Sequence, residues 1–146
     1  MGVAAFIRGL PVGVVQAIKG AFDWQNSVGL TAAGTTQATA LLLPRDFNVF
    51  TTVAAGSGCI LPYGEDQTVS SQSVAPAGTT VASVGTLEVG DTITVVNRGA
   101  NALLVYPQGT GTIQGGSAGA GFSIAVNKLA DIRYVGSGNF VANLSA

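Results

Sequence analysis

From residue 31 onward, large apolar side chains recur at every second position in short runs, the period of a strand with one covered face. Thr92-Ile93-Thr94-Val95-Val96 turns Ile93 and Val95 inward, and Ala130-Asp131-Ile132-Arg133-Tyr134 places Asp131 and Arg133 together on the outer face. Phe122-Ser123-Ile124-Ala125-Val126-Asn127 alternates in the same way. Residues 47–53 and 59–61 read as two strands around Ala54-Ala55-Gly56-Ser57-Gly58, and residues 39–43 as another, stopped by Pro44. Residues 87–91 lead into the strand at Thr92. The turn cluster Asn97-Arg98-Gly99-Ala100-Asn101 predicts a hairpin whose second strand is Leu103-Leu104-Val105-Tyr106, ended by Pro107 because proline cannot donate to a ladder. Gly136-Ser137-Gly138 turns into a last strand over 139–144. Residues 64–85, the most polar stretch, read as a long loop or as an irregular excursion at a sheet edge. Short strands spaced by about 8–12 residues predict an all-β domain over 31–146, an antiparallel β-sandwich or a small jelly-roll or barrel. No period of about 20–50 residues appears, so a solenoid is not expected.

Residues 1–30 follow a different pattern. Leu10, Val14, Ile18 and Phe22 recur every four residues, a helical stripe, and Pro11 suits a first helical turn. The spacing predicts a short amphipathic helix at about 12–22 within an N-terminal arm, helical or extended. Two readings stand for it: a helix packed on its own domain, or an arm that docks on a neighbour. Phe6, Ile7, Leu10, Phe22 and Trp24 are the candidate partner contacts, since aromatic anchors serve interfaces as well as cores.

Composition sharpens the question. Hydrophobic residues make up 47% of the 146 and charged residues 9%, where a soluble domain carries about 25% charged. A membrane span needs about 20 mostly apolar residues. The best window, 3–22, contains Arg8, Pro11, Gln16, Lys19 and three glycines, and only ten residues separate Arg8 from Lys19. No small-x-small cleavage site follows it cleanly, and Phe6 stands where myristoylation wants Ser or Thr. Neither a membrane nor a secreted location is expected. Charge keeps an ordinary monomer soluble, so a chain that omits it is expected to hide its surface against copies of itself or another protein.

The same counts exclude most chemistry. Six Lys and Arg against seven Asp and Glu leave a net charge of −1 and no basic footprint for nucleic acid. There is no histidine and one cysteine, Cys59, so no Ser-His-Asp or Cys-His pair, no histidine metal site and no intrachain disulfide is available. Cys59 reads as a small buried hydrophobe. The glycine-rich run 109–121 lacks the Gly-Lys-Ser/Thr of a phosphate loop and is followed by a strand rather than a helix, so it reads as a β connection. Glu65-Asp66, the adjacent carboxylate pair, reads as solvated, and Asp131 with Arg133 as a surface or interface ion pair. No catalytic residue, metal or cofactor is expected, and the chain does not read as an enzyme.

Two phrases then carry a resemblance. Thr51-Thr52-Val53-Ala54-Ala55-Gly56-Ser57-Gly58-Cys59-Ile60-Leu61-Pro62 is similar to a phrase of tailed-bacteriophage structural proteins. So is the run over 90–107, from Gly90-Asp91-Thr92 to Val105-Tyr106-Pro107, followed by Ile113-Gln114-Gly115 and by Tyr134-Val135-Gly136-Ser137-Gly138-Asn139-Phe140. The pieces occur in that order over 31–146. The chain thus resembles capsid decoration (cement) proteins or the bases of head fibres. The stretch 64–85 departs from the shorter version in that group, and residues 1–30 are not covered. The resemblance implies a virion protein on the capsid exterior that binds the major capsid protein shell and itself, as a trimer. Its alternative implication is a head- or tail-fibre or receptor-binding appendage module.

Overall fold

The computed structural model describes residues 26–43, 46–67 and 87–146. Among them nine strands form: β1 (Asn26–Thr31), β2 (Leu41–Leu42), β3 (Phe47–Thr52), β4 (Gly58–Ile60), β5 (Thr92–Asn97), β6 (Leu103–Tyr106), β7 (Phe122–Ile124), β8 (Leu129–Gly136) and β9 (Asn139–Leu144). The expected helix at about 12–22, and with it Phe6, Ile7, Leu10, Phe22 and Trp24, lies outside the described residues, as do residues 68–86.

The strands fall into two sheets, in the orders β1-β3-β5-β8-β9 and β2-β4-β6-β7. Over the first six strands the chain alternates between the sheets, and each of β1 to β4 pairs in parallel with the strand two places on. Three turns of a coil result, closed by antiparallel pairing of β7 on β6, β8 on β5 and β9 on β8. The all-β, sandwich-like architecture therefore stands, whereas the antiparallel expectation is corrected: both sheets are mixed. The coil leaves no sequence period because its turns are unequal, with β1, β3 and β5 starting at residues 26, 47 and 92.

The hairpin expected between β5 and β6 is also corrected, because these strands lie in different sheets. Residues 97–101 form instead the corner by which the chain crosses from one layer to the other. Asn97 is fully buried there. Its Nδ2 donates to the carbonyls of Asn101 (2.8 Å) and Ile124 (2.9 Å), and its Oδ1 accepts from the amide of Gly99 (2.9 Å). A side-chain amide thus supplies the hydrogen bonds that a hairpin ladder would have made.

Between the sheets lies one core. Phe50, Ile93, Val95, Ile132, Tyr134 and Phe140 enter from the five-stranded sheet, facing Cys59, Leu103, Val105 and Ile124 from the other. Each such aliphatic or aromatic side chain contributes roughly 1.5–3 kcal/mol on burial. Ile93 and Val95 point inward as their alternation predicts. Residues 125–127 do not extend β7, which ends at Ile124, since Asn127 takes a left-handed φ of 61° and Val126 is exposed.

The four-stranded sheet is covered on both faces. Ala40, Leu42, Ile60 and Tyr106 pack as a second cluster on its outer side. The segment 35–37 lies close by, with Thr35 O accepting from the Tyr106 hydroxyl (3.2 Å) and Gln37 Nε2 donating to Gly109 O (2.8 Å). Burial on two faces explains the continuous apolar run of β4, where alternation fails. It also explains Gly58, where a Cβ would stand 2.5 Å from Leu104 O and 2.9 Å from the Tyr106 ring.

Candidate functional site

The five-stranded sheet differs: its outer face is open. The register brings Val28, Val49, Val96 and Leu129 into one row across β1, β3, β5 and β8. A second row is Phe47, Thr94, Asp131 and Asn143, and a third is Thr92, Arg133 and Val141. Val28 is 74% exposed, and Val135 and Val141 are each 47% exposed. A large contiguous apolar area on a sheet face is where another protein can associate, whereas apolar side chains exposed singly are common.

Asp131 and Arg133 sit outward on β8, as expected. They do not bond to each other. Asp131 Oδ1 accepts from Thr94 Oγ1 (2.6 Å), and Arg133 Nε donates to Thr92 Oγ1 (3.3 Å), so each is steadied by a threonine of β5. Beside them is a shallow depression of about 440 Å³ lined by Thr92, Gln114, Asp131, Arg133, Val141 and Asn143.

The two ends of this sheet differ. Along β9, the segment 112–114 caps the free edge: Phe140 N donates to Thr112 O, Gln114 N to Phe140 O and Ala142 N to Gln114 Oε1, all at 2.8 Å. On β1 the register shifts twice around Gly29, whose φ is +83°. Capping and bulging both discourage another strand from adding to an edge.

A second polar constellation gathers around Asp66 and Tyr134. Glu65 N donates to Leu87 O and Leu87 N to Tyr63 O (both 2.8 Å), so residues 63–65 and Leu87 lie side by side. Asp66, which the sequence places in a solvated pair, is held: the Tyr134 hydroxyl donates to Oδ1, and Ser137 N donates to Oδ2 (2.6 Å). The Tyr134 oxygen in turn accepts from Gly138 N (3.0 Å). Gly64 lies against the phenol so closely that a Cβ there would collide with it. This tie escaped sequence reading, although an inward-facing tyrosine is itself a signal that its hydroxyl needs a partner.

The tie has an electrostatic consequence. The hydrogen bond from Tyr134, followed by that from Ser137, holds the Asp66 carboxyl below its ordinary value. Burial first, and the bond to Asp66 second, push the Tyr134 phenol upward and keep it a neutral donor. Because the folded-state value of Asp66 is depressed, its stabilisation is present above the ordinary carboxylate value of about 3.9 and is lost as pH falls through the lower folded value. Replacing Asp66→Ala is expected to lower the melting temperature at neutral pH, with the gap to the parent narrowing in acid. Thermal melts of both proteins across the acid range check this, and a gap of constant size would contradict it.

The remaining candidates are structural. Cys59 is fully buried, and desolvation pushes its thiol far up, out of the range of a nucleophile. The glycine-rich run is a turned β connection, as expected, with Gly119 N donating to Gly111 O (2.8 Å) and β7 following at Phe122. Among the described residues no three His, Cys, Asp or Glu side chains are placed to share a metal ion. Among the described residues there is no helix long and apolar enough to cross a membrane. The arrangement offers contact surface and firmly tied turns. The chain matches no protein-family model, no curated protein and no solved structure.

Proposed function

We propose that this protein is a non-enzymatic structural component of a virus particle, which decorates the capsid exterior by binding the shell of major capsid protein and self-associates there. The observation that carries the reading is the open outer face of the five-stranded sheet, with Val28, Phe47, Val135 and Val141 exposed in a chain of 9% charged residues. Such a face gains free energy when another protein covers it. The phage-like phrases over 51–62 and 90–107 supply the kind of assembly. The arm carrying Phe6, Ile7, Leu10, Phe22 and Trp24 supplies the contact with the shell, and several linked copies add avidity to each weak contact.

Undecorated capsids test this directly. The full chain is expected to co-sediment with them, and a chain lacking residues 1–24 to lose at least tenfold in affinity while keeping the β circular-dichroism signal of the parent. Equal binding by the shortened chain would remove the arm from the mechanism. Failure of the full chain to bind any capsid would remove decoration. Labelled protein on particles is expected over the whole shell, and labelling at a single vertex would favour a fibre or tail appendage.

A further inference from the structure

The geometry points to a second copy of this chain as the occupant of the open sheet face, in a twofold pair that sets Asp131 of each copy opposite Arg133 of the other. This rests on reading that face as an assembly surface, and it names the partner. Read along β8, the outward residues are Leu129, Asp131, Arg133 and Val135: apolar, acid, base, apolar. Reversed, the order is its own complement. A twofold axis lying in the interface and crossing β8 at the level of Ile132 reverses the strand and lays β8 on β8. Asp131 then meets Arg133, and Leu129 meets Val135, each contact occurring twice, as an isologous interface requires. Laying the strands in the same direction would instead oppose like charges.

The side chains are set for this. Thr94 holds one oxygen of Asp131 and Thr92 holds Nε of Arg133. Among the described residues Asp131 Oδ2 and the terminal nitrogens of Arg133 carry no further hydrogen bond and remain for a charge-assisted cross-pair. The apolar residues flanking the charges exclude water from them, which strengthens an ion pair that would be worth little on an open surface. The capped edge at β9 and the bulged edge at β1 direct association to the face rather than to strand addition.

Size sets the expected strength. Five strands at about 4.8 Å spacing and six residues at about 3.3 Å rise give a footprint of roughly 480 Å² per copy. Specific interfaces bury about 800 Å² per partner, so this pair is at the small end and its assembly is expected to depend on concentration in the micromolar range or above.

The resemblance implies three copies, whereas this face calls for two. Sedimentation of the full chain over a concentration series decides between them, and charge exchange tests the contact. The parent is expected to shift from monomer to dimer mass. Asp131→Arg alone and Arg133→Asp alone are each expected to dissociate at least tenfold more readily. The double variant, and an equimolar mixture of the two single variants, are expected to recover the pair. Single variants that keep the parent mass, a trimer indifferent to both changes, or a folded double variant that does not recover would each overturn the pairing. Capsid binding measured on the same samples separates the two readings: recovery of the pair without capsid binding defeats decoration alone, and capsid binding without recovery defeats the pairing alone.

Discussion

Replacing Phe50→Ala is expected to destabilise the protein by about 3–5 kcal/mol, the range for emptying a buried phenylalanine site. Phe50 is fully buried, on the inner face of β3, and belongs to the cluster that joins the two sheets. The neighbouring strands fix its position in parallel register, with Leu30 on one side and Asn97 on the other, so the backbone cannot collapse readily into the void. For a chain of this size the loss corresponds to a fall in melting temperature of about 10 °C or more. Phe47→Ala on the same strand is the matched control. Phe47 points outward and is partly exposed, so its loss is expected to cost about 1 kcal/mol or less. Calorimetry of the two variants reads the difference, and equal costs would mean that the register of β3 is other than described.

Asn97→Leu is expected to cost about 3 kcal/mol while keeping the number and branching of the side-chain heavy atoms. Three hydrogen bonds disappear with the amide, and the Gly99 N–H and the Ile124 carbonyl lose their side-chain partner inside the fold. An unsatisfied buried group costs about 1–3 kcal/mol, against a net gain near 1 kcal/mol for a typical bond that is made. Because Asn97 also pairs through its backbone with Lys128 and Asn127, the corner that it holds ties β5 to the end of β7 and to the turn before β8 at once. Chemical denaturation checks the prediction. A loss well under about 1 kcal/mol would show that water replaces the amide.

The two phenylalanines show where sequence reasoning ends. Residues 47 and 50 lie on opposite faces of one strand, and either face of Phe47-Asn48-Val49-Phe50 has an apolar claim. Burying Phe50 also buries Asn48, a choice made by the neighbouring register, in which Asn48 lies beside Val95. Asp131 and Arg133 present the reverse case. Their outward placement is legible from alternation, but the threonines that hold them, Thr94 and Thr92, lie on a strand some forty residues earlier and become partners only through pairing. The Tyr134 tie to Asp66 is equally non-local, since it joins a β8 side chain to a turn 68 residues earlier.

Alternation along a strand is a local property of the backbone, which is why the positions of β5, β8 and β9, the inward faces of β5 and β8 and the turn at 136–138 are legible in the order of residues alone. The same holds for the poverty of charge and for the missing acid–base groups, which are matters of counting. Partner choice is another kind of quantity. A strand shows the same two-residue period whether its neighbour runs parallel or antiparallel, and whether that neighbour follows directly or lies a full turn of the coil away. Only the packed core, by bringing Phe50, Val95 and Ile132 into one layer and Cys59, Val105 and Ile124 into the other, selects the mixed pairing and leaves one sheet face open to a partner.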